Sequence, residues 1–365
     1  MTAAAAPPSA NNGANLPPLQ VCAAAWRGSD MQQRDDWRIT LSDAEIDELG
    51  ALSASLCQRQ VDLGHLRAEQ LPLPLLRPRL RQILADVLDG RGFVLIHGLP
   101  VQRWGRRQAA AAFMAMGAHL GAARPQNAAG HLLGHVRDMG LHSSDPAVRI
   151  YQTNERQTFH TDSCDIVGLL CLQTARSGGQ SALVSSTTLF NEMRMRRPDL
   201  AQQLFEPLAT DRRGEVPPGR QPYFSIPVLN WWPQGKHGQL SAIYQRQYID
   251  SAQRFPDAAR ITPVLREALD LFDSLANDPA LHFLMDLAPG DIQLVNNHTL
   301  LHDRTAFQDW PQPAQRRHLL RLWLAPPQAR ALPPVYAERY GSVVPGDRGG
   351  INLPTARHNV PLDDL

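Results

Sequence analysis

Phe159-His160-Thr161-Asp162 is the stretch on which the reading of this chain turns. Of thirteen histidines, His160 alone is followed two residues later by a carboxylate. In a strand, residues i and i+2 face the same side, so His160 and Asp162 are expected to project together while Thr161 points away. Neutral imidazole and carboxylate both suit a divalent first-row metal. A lone His-x-Asp pair arises about once by chance in a chain of this composition, so the pair needs a partner. His298, His302 and His318 are the candidates, downstream of a strand ending at Asn296-Asn297.

The surrounding sequence is strand-like. Ile166 to Leu172 is a nearly continuous apolar run, expected to be covered on both faces. Gly178-Gly179 turns into an alternating segment, Ser181 to Ser185. Tyr223–Leu229 and Leu240–Tyr248 are expected to pair as a hairpin across residues 230–238. A further strand, the turn Pro289-Gly290-Asp291, Ile292 to Asn296 and a final strand Arg317 to Leu324 follow. Helices dominate earlier. Ser42 or Thr40 caps a run through Leu56, Pro78 to Leu88 is a second helix, and Gln108 to Leu120 is a third, closed by Gly121. Phe93 to Ile96 reads as a buried strand between them, and shorter helices fit Thr188–Arg196, Pro198–Phe205 and Ile261–Leu275. Helices early and strands late give an α+β fold around a β-sandwich core.

The final strand carries Arg317 and Arg321 on one face, with Leu320, Leu322 and Leu324 on the other. A buried guanidinium needs an anion, and its planar fork matches a carboxylate. Composition narrows the partners further. The 365 residues are 43% hydrophobic and 19% charged with a net charge of +1, which gives no electrostatic reason to expect nucleic acid or an anionic membrane. Lys236 is the single lysine, so the arginine content reflects codon bias rather than a binding tract. Cys22, Cys57, Cys164 and Cys171 form no CxxC and read as reduced thiols of a cytoplasmic protein. There is no run of 18 apolar residues and no signal-like leader. The expected organisation is a disordered low-complexity leader over 1–35, one catalytic domain over 36–335 and a tail over 336–365. The aromatic, Pro- and Gly-rich segment 211–250 is expected to cover the site.

Thr158-Phe159-His160-Thr161-Asp162, Gly178-Gly179-Gln180-Ser181, Asn297-His298-Thr299-Leu300-Leu301-His302-Asp303-Arg304 and Arg316-Arg317-His318-Leu319-Leu320-Arg321 occur in that order. This set, spanning residues 90–325, resembles the TauD/TfdA family of Fe(II)/2-oxoglutarate-dependent dioxygenases. The resemblance implies a double-stranded β-helix (jelly-roll) core flanked by helices. It implies that His160, Asp162 and His302 hold Fe(II), and that Arg317 binds the distal carboxylate of 2-oxoglutarate. Ser181 stands where relatives often carry Thr and can donate the same bond. His298 and His318 are expected to be structural, and Arg304 to orient its loop. Asp162, in place of a Gly or Ala, argues against a halogenase. The implied reaction consumes O2 and 2-oxoglutarate, releases succinate and CO2, and oxidises, typically hydroxylates, an unactivated C–H bond.

Arg321, Asn297, Gln126 and Tyr244 are the expected substrate-side residues, with Asn154, Tyr151 and Tyr248 as further pocket candidates. Tyr223, Trp231 and Trp232 would line or cover the same pocket. The spare arginine and the aromatics point to a small organic anion as substrate, and homo-oligomerisation is left open. Two other classes compete: a non-catalytic jelly-roll binding protein, and a zinc-type hydrolase on the same ligands. No HExxH occurs here.

Overall fold

Side-chain parity along the strands decides the layering in the computed structural model, which describes residues 16–144, 148–234 and 237–362. The strands of the two main sheets begin with β1 (Arg38–Thr40), β2 (Phe93–His97), β3 (Ala122–Ala123), β4 (Leu133–Val136), β5 (Gln157–His160) and β6 (Ile166–Gln173). They continue with β7 (Ser181–Ser185), β8 (His282–Met285), β9 (Ile292–Asn296), β10 (Leu300–Arg304) and β11 (His318–Ala325). The larger sheet runs β1-β2-β9-β6-β11-β3 with β4 also beside β11, and the smaller runs β8-β7-β10-β5. Apart from the parallel pair β1/β2, both sheets are antiparallel.

Alternate residues of one strand serve different layers. Val94, Ile96, Leu170, Leu294, Leu320, Leu322 and Leu324 pack against three helices on the outside of the larger sheet. These are α1 (Asp43–Gln58), α2 (Leu76–Leu88) and α3 (Val101–Leu120). Phe93, Leu95, Val167, Val295 and Trp323 point the other way, where they meet Leu183, Phe283, Met285 and Leu300 of the smaller sheet. The outer face of the smaller sheet, through Ala182, Val184 and Leu301, packs on α4 (Ser186–Arg196) and α5 (Pro263–Ala276). The expected double coverage of β6 is thereby realised.

Local signals hold at the helix ends. Ser42 accepts from the Glu45 amide at 3.3 Å while the Glu45 carboxylate accepts from the Ser42 amide at 2.8 Å, a complete capping box. In α3, Gly105 adopts φ 73° and breaks the first turns from the straight segment that follows.

Three expectations need correction. The hairpin is Leu229–Gln234 paired with His237–Ala242, whereas Tyr223–Ile226 pairs with Leu208–Asp211 and Tyr248 lies in the helix Arg246–Ala252. Pro233 lies within that ribbon opposite Gly238, and a two-stranded ribbon has a free edge that tolerates it. The leader expected over 1–35 is packed from residue 16 onward. Leu16, Trp26 and Met31 are buried, and Asn191 bonds both the amide and the carbonyl of Gln20 at 2.8 Å; residues 1–15 lie outside the described residues. The tail is not peripheral either. Tyr336, Tyr340 and Arg348 are fully buried, and Arg348 meets Asp165 through Nε at 2.9 Å and Nη2 at 2.8 Å.

All four cysteines are unpaired, two of them exposed. Among the described residues no helix is long and apolar enough to cross a membrane.

Candidate metal centre

The registers of β5, β7 and β10 bring the motif residues together. His302 of β10 stands opposite His160 of β5 and opposite Leu183 of β7. The imidazole centroids are 4.1 Å apart. Asp162 Oδ1 lies 3.9 Å from His160 Nε2, and Oδ2 lies 3.8 Å from His302 Nε2. One ligand atom from each residue falls within 4.8 Å of the others, and all three residues are buried.

Strand parity accounts for only half of this. β5 ends at His160, so Asp162 stands beyond the strand. Its position comes from elsewhere: the Thr161 amide donates to the Tyr244 carbonyl at 2.8 Å, and the Asp162 amide donates to Asn297 Oδ1 at 3.0 Å. Asn297, expected on the substrate side, holds the loop that carries Asp162 and spends its Nδ2 on Cys164 Sγ at 3.2 Å. On the carboxylate, Oδ2 accepts from Trp323 Nε1 at 2.9 Å and lies 3.4 Å from Arg321 Nη1. Burial works to raise the Asp162 pKa, but Arg321 leads the opposing groups and holds it below the usual carboxylate range. Burial depresses both histidines, His302 to about 3, so they are neutral at pH 7, the state a metal requires. His160 Nδ1 donates to the Thr158 carbonyl at 2.8 Å, which turns Nε2 toward the centre.

A cavity opens beside the two imidazoles between the sheets, bordered by Ser181, Arg304, Arg317 and Arg321. Arg317 is 5% exposed, and its Nη1 has no acceptor among the described residues. Burial pushes its pKa down to about 10, the response of a cation short of a partner. Phe307 lies against the guanidinium, 5.1 Å from ring centroid to carbon. Gly179, at φ 76°, permits the approach, since a Cβ there would stand 3.0 Å from Arg317 Nε. Ser181 Oγ faces the same cavity and shares hydrogen bonds with Gln293. Arg304 donates to the carbonyls of Thr153 and Glu155, so it supports the loop as expected.

A second cleft lies on the other side of Asp162 and meets the first at Tyr151, Gln157 and Arg321. Gln126 and Tyr244 border it, but neither offers its polar group. The Gln126 amide bonds the carbonyls of Leu132 and Arg321 at 3.0 and 2.8 Å and accepts from Arg321 Nε at 2.7 Å. The Tyr244 hydroxyl donates to Asp273 at 2.6 Å beneath α5. Tyr151 and Tyr248 do line the cleft, whereas Asn154, Tyr223, Trp231 and Trp232 do not. The segment 211–250 supplies one wall through Glu215, Phe224 and Ile243.

Sequence reading missed Trp323, although it shares Arg321's parity on β11, and missed Arg149, Ser163 and Arg339, for which no local signal existed. His298 and His318 sit outside the metal cluster. His298 Nε2 bonds Asp165 at 2.7 Å, and His318 Nε2 meets His135 Nδ1 at 2.9 Å. Burial lowers both, His318 to about 3. A histidine held neutral in the fold stabilises above its unfolded pKa of about 6.5, and that stability is lost as pH falls below it. For His318, metal-free protein should therefore lose roughly 1 kcal/mol between about pH 7.5 and 5.5, read from denaturant midpoints. An unchanged midpoint across that window would contradict the buried neutral state.

Comparison with known proteins follows the same lines. A family profile described as "Taurine catabolism dioxygenase TauD, TfdA family" matches residues 59–323. FR-33289 synthase of Streptomyces rubellomurinus is 28% identical over 84% of this chain and 91% of its own. A taurine hydroxylase-like protein of Stachybotrys chartarum is 29% identical over 83% of this chain and 81% of its own. The structure of asparagine oxygenase with Fe(II), hydroxyasparagine and succinate superposes with a TM-score of 0.60 at 17% identity, covering 79% of this chain and 93% of that one.

Proposed function

Because the chain belongs to the TauD/TfdA family of dioxygenases, we propose that His160, Asp162 and His302 hold its Fe(II) and that Arg317 and Ser181 hold its 2-oxoglutarate. The protein is an Fe(II)- and 2-oxoglutarate-dependent dioxygenase. In this reading the two sheets form the double-stranded β-helix, residues 16–362 make one catalytic unit, and the substrate is a small organic anion. The observation that carries the assignment is the pair of cavities meeting at Tyr151, Gln157 and Arg321, one bordered by Asp162 and the other by His160, His302 and a buried arginine with an unmatched N–H. A hydrolase on the same metal ligands would have no use for that arginine.

When bound, Fe(II) with 2-oxoglutarate and O2 supplies the oxidising power, and succinate and CO2 leave. This chain's residues do the rest. His160 presents Nε2 because its Nδ1 is tied to a backbone carbonyl, and Asp162 keeps Oδ1 outside the bonds that hold Oδ2. Arg317 would offer its guanidinium to the co-substrate's far carboxylate in a site lined by Val136, Val167, Leu169 and Leu319, which keep water out. Arg321 borders both cavities, so its tie to Asp162 links co-substrate seating to the geometry presented to substrate. The substrate enters the second cleft; taurine, named in the family description, is itself an organic sulfonate.

The test is anaerobic titration with Fe(II) and 2-oxoglutarate, which should produce a weak visible charge-transfer band. Arg317→Met should retain the metal and raise the 2-oxoglutarate concentration needed for the band by roughly 100-fold, the usual cost of truncating one partner of a buried charge pair. A wild-type protein that binds metal without giving the band would sink the assignment.

A further inference from the structure

Three arginines border the substrate cleft, and two are already matched. Arg149 pairs with Glu215 at 3.0 Å and donates to the Tyr248 hydroxyl at 2.9 Å. Arg321 faces Asp162 and gives its Nε to Gln126. Arg339 has no carboxylate within 4.0 Å among the described residues; its one hydrogen bond there runs from Nε to Ser163 Oγ, at 2.7 Å. Its two η nitrogens make no hydrogen bond among the described residues, and the side chain borders both this cleft and a neighbouring cavity walled by Arg212, Arg220 and Glu338. The side chain is half-buried against the Phe224 ring at 5.4 Å, and burial lowers its pKa despite the opposing influence of Glu215. Three guanidiniums against Asp162 and Glu215 leave one positive charge in excess among the lining residues. Fe(II) and the 2-oxoglutarate dianion cancel one another, so the excess remains for the substrate.

The donor geometry narrows the acid. With Nε committed to Ser163, the two η nitrogens are the donors that remain to Arg339, and such a pair matches two oxygens of one acid group. Ser163 Oγ accepts from Arg339, which leaves its own O–H to donate, and it has no acceptor among the described residues. Two η donors and a neighbouring hydroxyl suit a three-oxygen group such as phosphonate or sulfonate better than a planar carboxylate.

We propose that Arg339, together with Ser163, binds the acid group of the prime substrate, so that the C-terminal segment beyond the family-matched residues sets which molecules are oxidised. This rests on the dioxygenase reading of the same site. Ser163 adjoins Asp162 in the chain, so the acid is held against the ligand loop and the rest of the substrate extends toward the iron face.

The experiment uses anaerobic protein loaded with Fe(II) and 2-oxoglutarate, titrated calorimetrically with propylphosphonate, propane-1-sulfonate, butyrate and butylamine. The two tetrahedral acids should bind more tightly than butyrate, and butylamine should not compete. Arg339→Gln should weaken them by at least roughly ten-fold while the visible band and 2-oxoglutarate affinity stay within about twofold. Acid affinity unchanged in Arg339→Gln, no acid binding to wild type, or butylamine binding as tightly as the acids overturns the proposal. Should Arg339→Gln also disturb the band, Ser163→Ala decides. A larger loss for propylphosphonate than for butyrate supports the site, and equal affinities overturn it. Failure of wild type to show any band would instead remove the dioxygenase assignment, a separate outcome.

Discussion

His302→Ala should abolish Fe(II) binding and succinate formation while leaving the metal-free fold almost as stable as wild type. Substitutions that merely disturb the partners of metal ligands cost 10–100-fold in affinity, so losing a ligand itself should cost more than about 100-fold. The fold is spared because His302 Nδ1 has no hydrogen-bond partner among the described residues and Nε2 lies 3.8 Å from Asp162, beyond bonding distance. Removing the ring therefore orphans no polar group and leaves only a small void beside an existing cavity. Asp162→Ala should behave differently, since it strips Trp323 Nε1 and Arg321 of their acceptor. Chelator competition with denaturant unfolding separates the two cases. Retention of wild-type metal affinity in His302→Ala would remove it from the site.

The second large effect lies away from the metal. Asp165→Ala should cost about 3–5 kcal/mol of stability, the range for removing one partner of a buried ion pair. Arg348 has no exposed surface, and its Nε bonds both Asp165 oxygens, at 2.9 and 3.1 Å. Without the carboxylate the guanidinium keeps only the carbonyls of Val343 and Arg330. His298 also loses its acceptor. Because this cluster pins residues 330–351 behind the ligand loop, the variant should also weaken binding in the cleft, where Arg339 and Ile351 form part of the wall. Asp165→Leu with Arg348→Met should recover much of the loss, since a packed apolar pair is tolerated better than a single orphaned charge. A single variant that unfolds with a wild-type midpoint would contradict this account.

How far the sequence could be read follows from the range of the interactions involved. The strands were legible because burial repeats every two residues; Leu320, Leu322 and Leu324 against Arg321 show it directly. The metal cluster was legible because motif order stands in for spatial proximity. What stayed hidden depends on pairings between distant residues that no local pattern encodes. Gln126 looked like a pocket residue, yet its amide is consumed by Arg321, 195 positions away. Asn297 looked like a substrate contact and instead fixes the backbone of Asp162. The tail carried no motif, and only its return across the ligand loop gives Arg339 and Arg348 their roles.

The alternation on β11 has a consequence for how this enzyme can change over evolution. A one-residue slip would turn Arg321 and Trp323 out among the helices and bring leucines to the metal. Every such slip is therefore a folding failure before it is a catalytic one, so insertions and deletions in this strand are purged whatever the substrate. The walls formed by 211–250 and by the tail are under no such rule. Specificity can drift there while the oxidising chemistry stays locked into the pleat.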